Sequence, residues 1–219
     1  MIQSTRKFAR LKHYYPYLLP IVEGFSMVLQ LDRNLQPSDR KRFTVSDFQT
    51  MIDAGIFEEG SPYELLDGEI IKMAAIGRKH AAKVDRISTF LNRTVAYAII
   101  VRVQNPIELG TFSQPEPDIA LLRWKDDFYE SGHPEAPDIH LLIEVSDTTL
   151  EKDRTVKLPL YATAGIVEVW IVNLQDDQIE VYRNPVTATY SSVQTFVTGQ
   201  MLTIEALPNV SIAVDEILG

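Results

Sequence analysis

The chain of 219 residues is long enough for one well-buried core and too short for two ordinary domains. Hydrophobic residues at 45% and charged residues at 23% exclude a disordered or fibrous architecture, and the absence of cysteine excludes disulfides and thiolate metal sites. A net charge of -9 argues against a protein that coats nucleic acid through a general basic surface, although carboxylates that hold a divalent ion add to the same count.

Residues 1–40 show no clear periodicity and mix Arg6, Lys7, Arg10 and Lys12 with Tyr14, Tyr15 and Tyr17. They read as an N-terminal appendage to a domain over 41–219. The apolar stretch over 14–31 is interrupted by Pro16, Pro20, Glu23 and Gly24, so it is no membrane span, and no small-residue cleavage site follows the basic start. With no cysteine in the chain, the expected location is the cytoplasm.

Val45, Phe48, Met51 and Ile52 fall at helical intervals, which predicts an amphipathic helix over 44–54 with Thr44 or Ser46 as N-cap and Gly55 past its end. Apolar runs over 63–66 and 69–73 flank Asp67-Gly68, the signal for a tight hairpin, with Glu64 on its first strand. Over 78–95, Val84, Ile87, Leu91 and Val95 form an apolar stripe, and His80 lies one turn before Val84 on it. Lys79, Lys83, Arg86 and Arg93 form a neighbouring basic face, which is either simply solvated or meets a phosphate backbone.

Strands follow over 98–104, 118–122, 140–146, 167–173 and 179–183, with weaker runs over 187–197 and 201–205. A loop over 123–138, rich in Asp, Gly and Pro, separates the second strand from the third. A helix is predicted over 151–164, with Asp153 as its cap, Gly165 at its end and Pro159 forcing a kink or a late start. Strand, helix and strand over 140–173 form a crossover unit, so the fold class is α/β, a mixed sheet flanked by helices.

The run Leu141-Leu142-Ile143-Glu144-Val145-Ser146 places a carboxylate inside a central strand. An ionised carboxylate there costs several kcal/mol unless it is paired, bound to a cation or open to a cleft. Asp118 puts a second acid at the mouth of another apolar run, and Glu144 and Ser146 share one strand face. Lys157 follows nearby in the chain. Metal-assisted phosphodiester hydrolysis needs such parts: oxygen ligands for a hard cation and a positive charge against the charge that develops on phosphorus. Each residue also has a plainer reading. Asp118 starts a strand after a Pro-rich turn, Glu64 pairs across a hairpin, His80 is a core histidine, Asp153 caps a helix and Lys157 is a surface lysine.

At these residues the chain resembles the Uma-two family of restriction-endonuclease-like proteins, within the PD-(D/E)XK nuclease superfamily. The resemblance runs from about Phe43 to Tyr190. It rests on Tyr63-Glu64-Leu65-Leu66-Asp67-Gly68-Glu69, His80, Pro117-Asp118, Glu144-Val145-Ser146, Asp153, Lys157, Tyr161, Gly165 and Val169-Trp170-Ile171-Val172. It implies a restriction-endonuclease-like fold in which Asp118 and Glu144 hold Mg²⁺ or Mn²⁺ and Glu64 lies at the same site.

The superfamily pattern expects a lysine two residues after the glutamate, where this chain has Ser146. The resemblance implies that Lys157 takes that role, with His80 and Ser146 as accessory candidates. The activity so implied is divalent-metal-dependent hydrolysis of phosphodiester bonds, in DNA first, with Lys79, Lys83, Arg86 and Arg93 as nucleic-acid contacts. A homodimer is one assembly it allows, and no membrane partner is expected. The alternatives are a catalytically inactive nucleic-acid- or protein-binding module on the same fold, and a phosphodiesterase acting on small phosphate esters.

Overall fold

A computed structural model describes residues 40–57, 62–95 and 99–219. The expected appendage therefore lies outside the described residues apart from Arg40.

Helix α1 (Val45–Asp53) takes Thr44, one of its two candidate N-caps: Thr44 Oγ1 accepts the Asp47 N–H at 3.0 Å, and the Asp47 carboxylate accepts the Thr44 N–H at 2.9 Å. Strands β1 (Tyr63–Leu66) and β2 (Glu69–Lys72) form the antiparallel hairpin, turning through Asp67 at φ 48° and Gly68 at φ 83°. Gly68 is required twice, since a Cβ there would also sit 2.7 Å from Arg42 Cβ.

Helix α2 (Arg78–Thr94) leads into β3 (Ile99–Val103), β4 (Ile119–Arg123) and β5 (Ile139–Ser146). A helical stretch follows: α3 (Leu150–Lys152), a π-helical turn (Asp153–Lys157) and α4 (Leu158–Thr163). The chain closes with β6 (Glu168–Asn173), β7 (Gln178–Val186), β8 (Thr189–Val197), β9 (Met201–Ile204), β10 (Leu207–Ala213) and α5 (Val214–Leu218).

A six-stranded sheet runs β3-β4-β5-β6-β7-β8. Every pair is antiparallel except β5 and β6, which run parallel with Glu144 beside Ile171, as a crossover through α3 and α4 demands. Strands β5 and β6 are apolar nearly throughout because helices cover both of their faces. On one face Leu141, Ile143, Val145 and Trp170 pack with Val84, Ile87 and Leu91 of α2 and Ile217 of α5. On the other, Leu142, Val169 and Ile171 pack with Leu158, Tyr161 and Ala162 of α4. Full burial of a side chain such as Leu91 contributes about 2 kcal/mol, so α2 is held by its apolar stripe. Among the described residues no helix is long and apolar enough to cross a membrane.

Two local expectations are corrected. Asp153 is not an N-cap: the helical stretch already begins at Leu150, and Asp153 opens the π turn inside it. The late start expected from Pro159 is absent, because the helical stretch already begins at Leu150. Proline has no N–H and crowds the carbonyl four residues back, and the π turn, in which the Leu158 N–H reaches Asp153 O, widens the helix just before it. The β10 strand and α5 were not predicted. Pro208 and the exposed polar residues of β10 hide its alternation, and α5 has only five residues.

Candidate active site

The cleft is assembled from three directions: the ends of β4 and β5, the crossover helix and the β1–β2 hairpin. Antiparallel pairing of Ile119 with Ile143 places Asp118 and Glu144, one position further along, on neighbouring strands. Both belong to the sheet face that packs on α4, since alternate residues share a face.

Asp118 is tightly constrained. Its Oδ2 accepts the Val145 N–H at 2.8 Å and lies 3.0 Å from His80 Nε2, while Oδ1 accepts from Gln104 Nε2 at 3.2 Å. Gln104, just after β3, holds φ 48°, a left-handed conformation uncommon outside glycine. The hydrogen bond to Asp118, ahead of the opposing effect of burial, raises the His80 pKa above the ordinary histidine range. His80 Nδ1 is buried and has no hydrogen-bond partner among the described residues.

Glu144 is buried, and its Oε1 accepts from Lys157 Nζ at 3.0 Å and Tyr161 Oη at 2.5 Å. Its Oε2 accepts nothing from the described residues. Burial pushes the Glu144 carboxyl up to about 8, against the pull of Lys157. Burial alone would lower the Lys157 pKa, but the carboxylates of Glu144, Glu64, Asp153 and Asp118 outweigh it and hold the amine as an ammonium. Tyr161 is raised well above its usual range by burial and then by Glu144, so it stays a neutral donor.

Lys157 also lies 3.5 Å from Glu64 Oε2 and 3.4 Å from the Glu116 carbonyl. Glu64 Oε1 accepts from Lys152 Nζ at 2.6 Å, and Glu64 Oε2 accepts the Glu116 N–H at 3.4 Å. Ser146 points the same way as Glu144 but donates to Asp153 Oδ2 at 2.7 Å, as does Thr149. Its hydroxyl therefore ties β5 to the π turn from which Lys157 projects. Asp153, Lys157 and Tyr161 recur every four residues, which brings all three to the sheet.

Glu64, His80, Gln104, Glu116, Asp118, Glu144, Thr149, Lys152, Asp153 and Lys157 line a cleft of about 470 Å³ that also includes Asp147. Of the expected site residues, Glu64, His80, Asp118, Glu144 and Lys157 meet here. Lys152, Gln104 and Glu116 join them unannounced. The chain carries no local sign that the hairpin and the crossover helix meet at Glu64.

Lys79, Lys83, Arg86 and Arg93 do not line this cleft, and two of the four are engaged by backbone carbonyls. Lys79 Nζ donates to Leu174 O at 2.7 Å, and Lys83 Nζ donates to Leu218 O near the C-terminal end of α5. Burial, then Arg86, lowers the Lys83 pKa. Arg86 and Arg93 are exposed.

Among the described residues, no three His, Asp or Glu side chains already stand together as a metal site. The chemistry of the donors nevertheless fits a hard cation. Among the described residues Glu144 Oε2 lacks a donor and Asp118 Oδ1 has only the long bond from Gln104, and both side chains line the cleft. Mg²⁺ commonly takes one or two carboxylates and completes its octahedron with water and phosphate.

The Uma2 family model, described as "Putative restriction endonuclease", matches residues 45–215. Among solved structures, the chain is similar to a protein of Anabaena variabilis described as "a putative nuclease belonging to DUF820", with a TM-score of 0.62 and 16% identity over 80% of this chain and 97% of that one. At that identity the likeness is one of fold. No curated protein matches the chain. The family match takes in the hairpin, both carboxylate strands and the helix that carries Lys157, and the chain belongs to the Uma2 family.

Proposed function

We propose that the protein is a divalent-metal-dependent endonuclease that hydrolyses phosphodiester bonds in DNA, with Asp118 and Glu144 holding Mg²⁺ or Mn²⁺. The observation that carries this reading is the Lys157 ammonium, 3.0 Å from Glu144 and within the cleft that Asp118 lines. It supplies from the crossover helix the positive charge that Ser146 cannot.

When bound, the cation would offset the charge that develops on phosphorus and acidify water at the site. Lys157 is kept charged by its carboxylate neighbours, so it can hold a water or a phosphate oxygen and oppose the growing negative charge. Tyr161 fixes Glu144 through Oε1, which leaves Oε2 for the cation. His80, Gln104 and the Val145 N–H fix Asp118. Glu64 steadies Lys157 from its other side.

The test is cleavage of supercoiled DNA with Mg²⁺ or Mn²⁺ by the parent and by Lys157→Ala. Metal-dependent nicking in the parent and its loss in the variant are expected. A parent that binds DNA without ever cutting it is the binding module instead, and one that cuts only small phosphodiesters is the third alternative.

A further inference from the structure

The cleft is an unusual place for a polyanion. Glu64, Glu116, Asp118, Glu144, Asp147 and Asp153 line it, while its cationic side chains are Lys152, Lys157 and, when protonated, His80. Lys157 cannot leave its place: its side chain is 8% exposed, and its amine is surrounded by Glu144, Glu64 and the Glu116 carbonyl. His80 Nε2 is engaged with Asp118. Lys152 differs on each count. Its side chain is 30% exposed, and among the described residues its amine has one ion-pair partner, Glu64 Oε1 at 2.6 Å.

Position adds a second observation. Lys152 lines the cleft and also a neighbouring groove of about 1040 Å³ that runs between the β1–β2 hairpin and α4, past Leu66, Phe112, Val156 and Pro159. It stands where the two grooves join. Its partner tolerates its departure: Glu64 Oε2 keeps Lys157 at 3.5 Å and the Glu116 N–H at 3.4 Å, so the buried carboxylate would not be left without a cation.

We propose that Lys152 forms a phosphate-binding subsite at this junction, exchanging Glu64 for a non-bridging oxygen of the nucleic-acid backbone as the strand enters the cleft. The identity of the polymer rests on the nuclease reading. The exchange conserves the ion-pair count, since one carboxylate is replaced by one phosphodiester anion and no proton moves. The long lysine stem gives the amine the reach to turn from one to the other.

The experiment is fluorescence anisotropy of a short fluorescein-labelled DNA duplex, titrated in EDTA over a range of salt. Lys152→Gln should bind about tenfold more weakly than the parent, the loss of one charged hydrogen bond. The slope of log affinity against log salt should flatten by roughly 0.9, the value for one phosphate contact on duplex DNA. Lys152→Arg should keep both.

Glu64→Gln separates a phosphate contact from a structural ion pair. It breaks the same pair, so a purely structural Lys152 requires the same loss in Glu64→Gln as in Lys152→Gln. The subsite requires parental or tighter binding in Glu64→Gln. Equal losses in the two variants overturn the proposal, as do an unchanged curve for Lys152→Gln and a parent that binds no DNA.

Cutting of supercoiled DNA by the parent with Mn²⁺ is scored separately. Lys152-dependent binding without cutting overturns the nuclease reading and keeps the subsite. Cutting with an unchanged Lys152→Gln binding curve does the reverse.

Discussion

Lys157 Nζ and Glu144 Oε1 lie 3.0 Å apart across thirteen residues of chain, one on the crossover helix and one on the strand before it. Their contact is buried, so removing one partner strands the other. Lys157→Ala should lower stability by on the order of 3 kcal/mol in urea denaturation. It should abolish metal-dependent cleavage while DNA still binds in EDTA. Full cleavage by a folded Lys157→Ala protein would remove Lys157 from the chemistry.

Asp118→Asn should lose calorimetric Mn²⁺ binding. An amide oxygen can still accept the Val145 N–H, so the fold should survive. The neutral side chain also relieves repulsion in an acidic cleft. Mn²⁺ affinity equal to the parent's would take Asp118 out of the ligand set.

The α2 cations should divide into two classes. Arg86→Gln and Arg93→Gln, at exposed positions, should each flatten the salt slope of DNA binding by up to about one unit if they meet phosphates. Lys83→Gln removes the donor to Leu218 O, so its main effect should be faster hydrogen exchange in α5. Unaltered slopes in both arginine variants return this face to ordinary solvation.

The hairpin turn should be sensitive out of proportion to its exposure. Gly68→Ala imposes a side chain at φ 83° and a close contact with Arg42, at a cost of about 1–2 kcal/mol from the backbone alone. Because β1 carries Glu64, the same change should loosen Lys152. A parental urea midpoint would contradict the turn assignment.

Thr44→Ala removes the hydroxyl that accepts the Asp47 N–H and should cost about 1 kcal/mol in urea denaturation. Thr44→Ser, which keeps the acceptor, should retain most of that stability. Equal losses in the two variants would deny the capping role.

Much of the fold is legible because the signals are local. The Asp67-Gly68 turn, the Thr44 cap and the apolar runs of β5 and β6 each state their structure within a few residues. Glu144 is legible for a different reason, the conflict between its charge and its apolar neighbours. The lysine role proposed for Lys157 rests on family resemblance.

What escaped is non-local. Lys152 meets Glu64 across 88 residues, and Gln104 reaches Asp118 only because the chain turns through a left-handed residue after β3. Lys79 and Lys83 look like surface cations in the sequence. Their acceptors are backbone carbonyls far along the chain, and a carbonyl leaves no mark in residue type.

The π turn over Asp153–Lys157 also bears on how this chain can change by insertion and deletion. A π turn is an α-helix carrying one extra residue, so deleting a single residue there would restore regular helical bonding. The deletion would rotate everything upstream by about 100° relative to α4. Asp153 would turn away from Ser146, and Lys152 away from Glu64. The helix would become more regular and the cleft would come apart, so length variation should be tolerated in the exposed loop between β4 and β5 but not within these five residues.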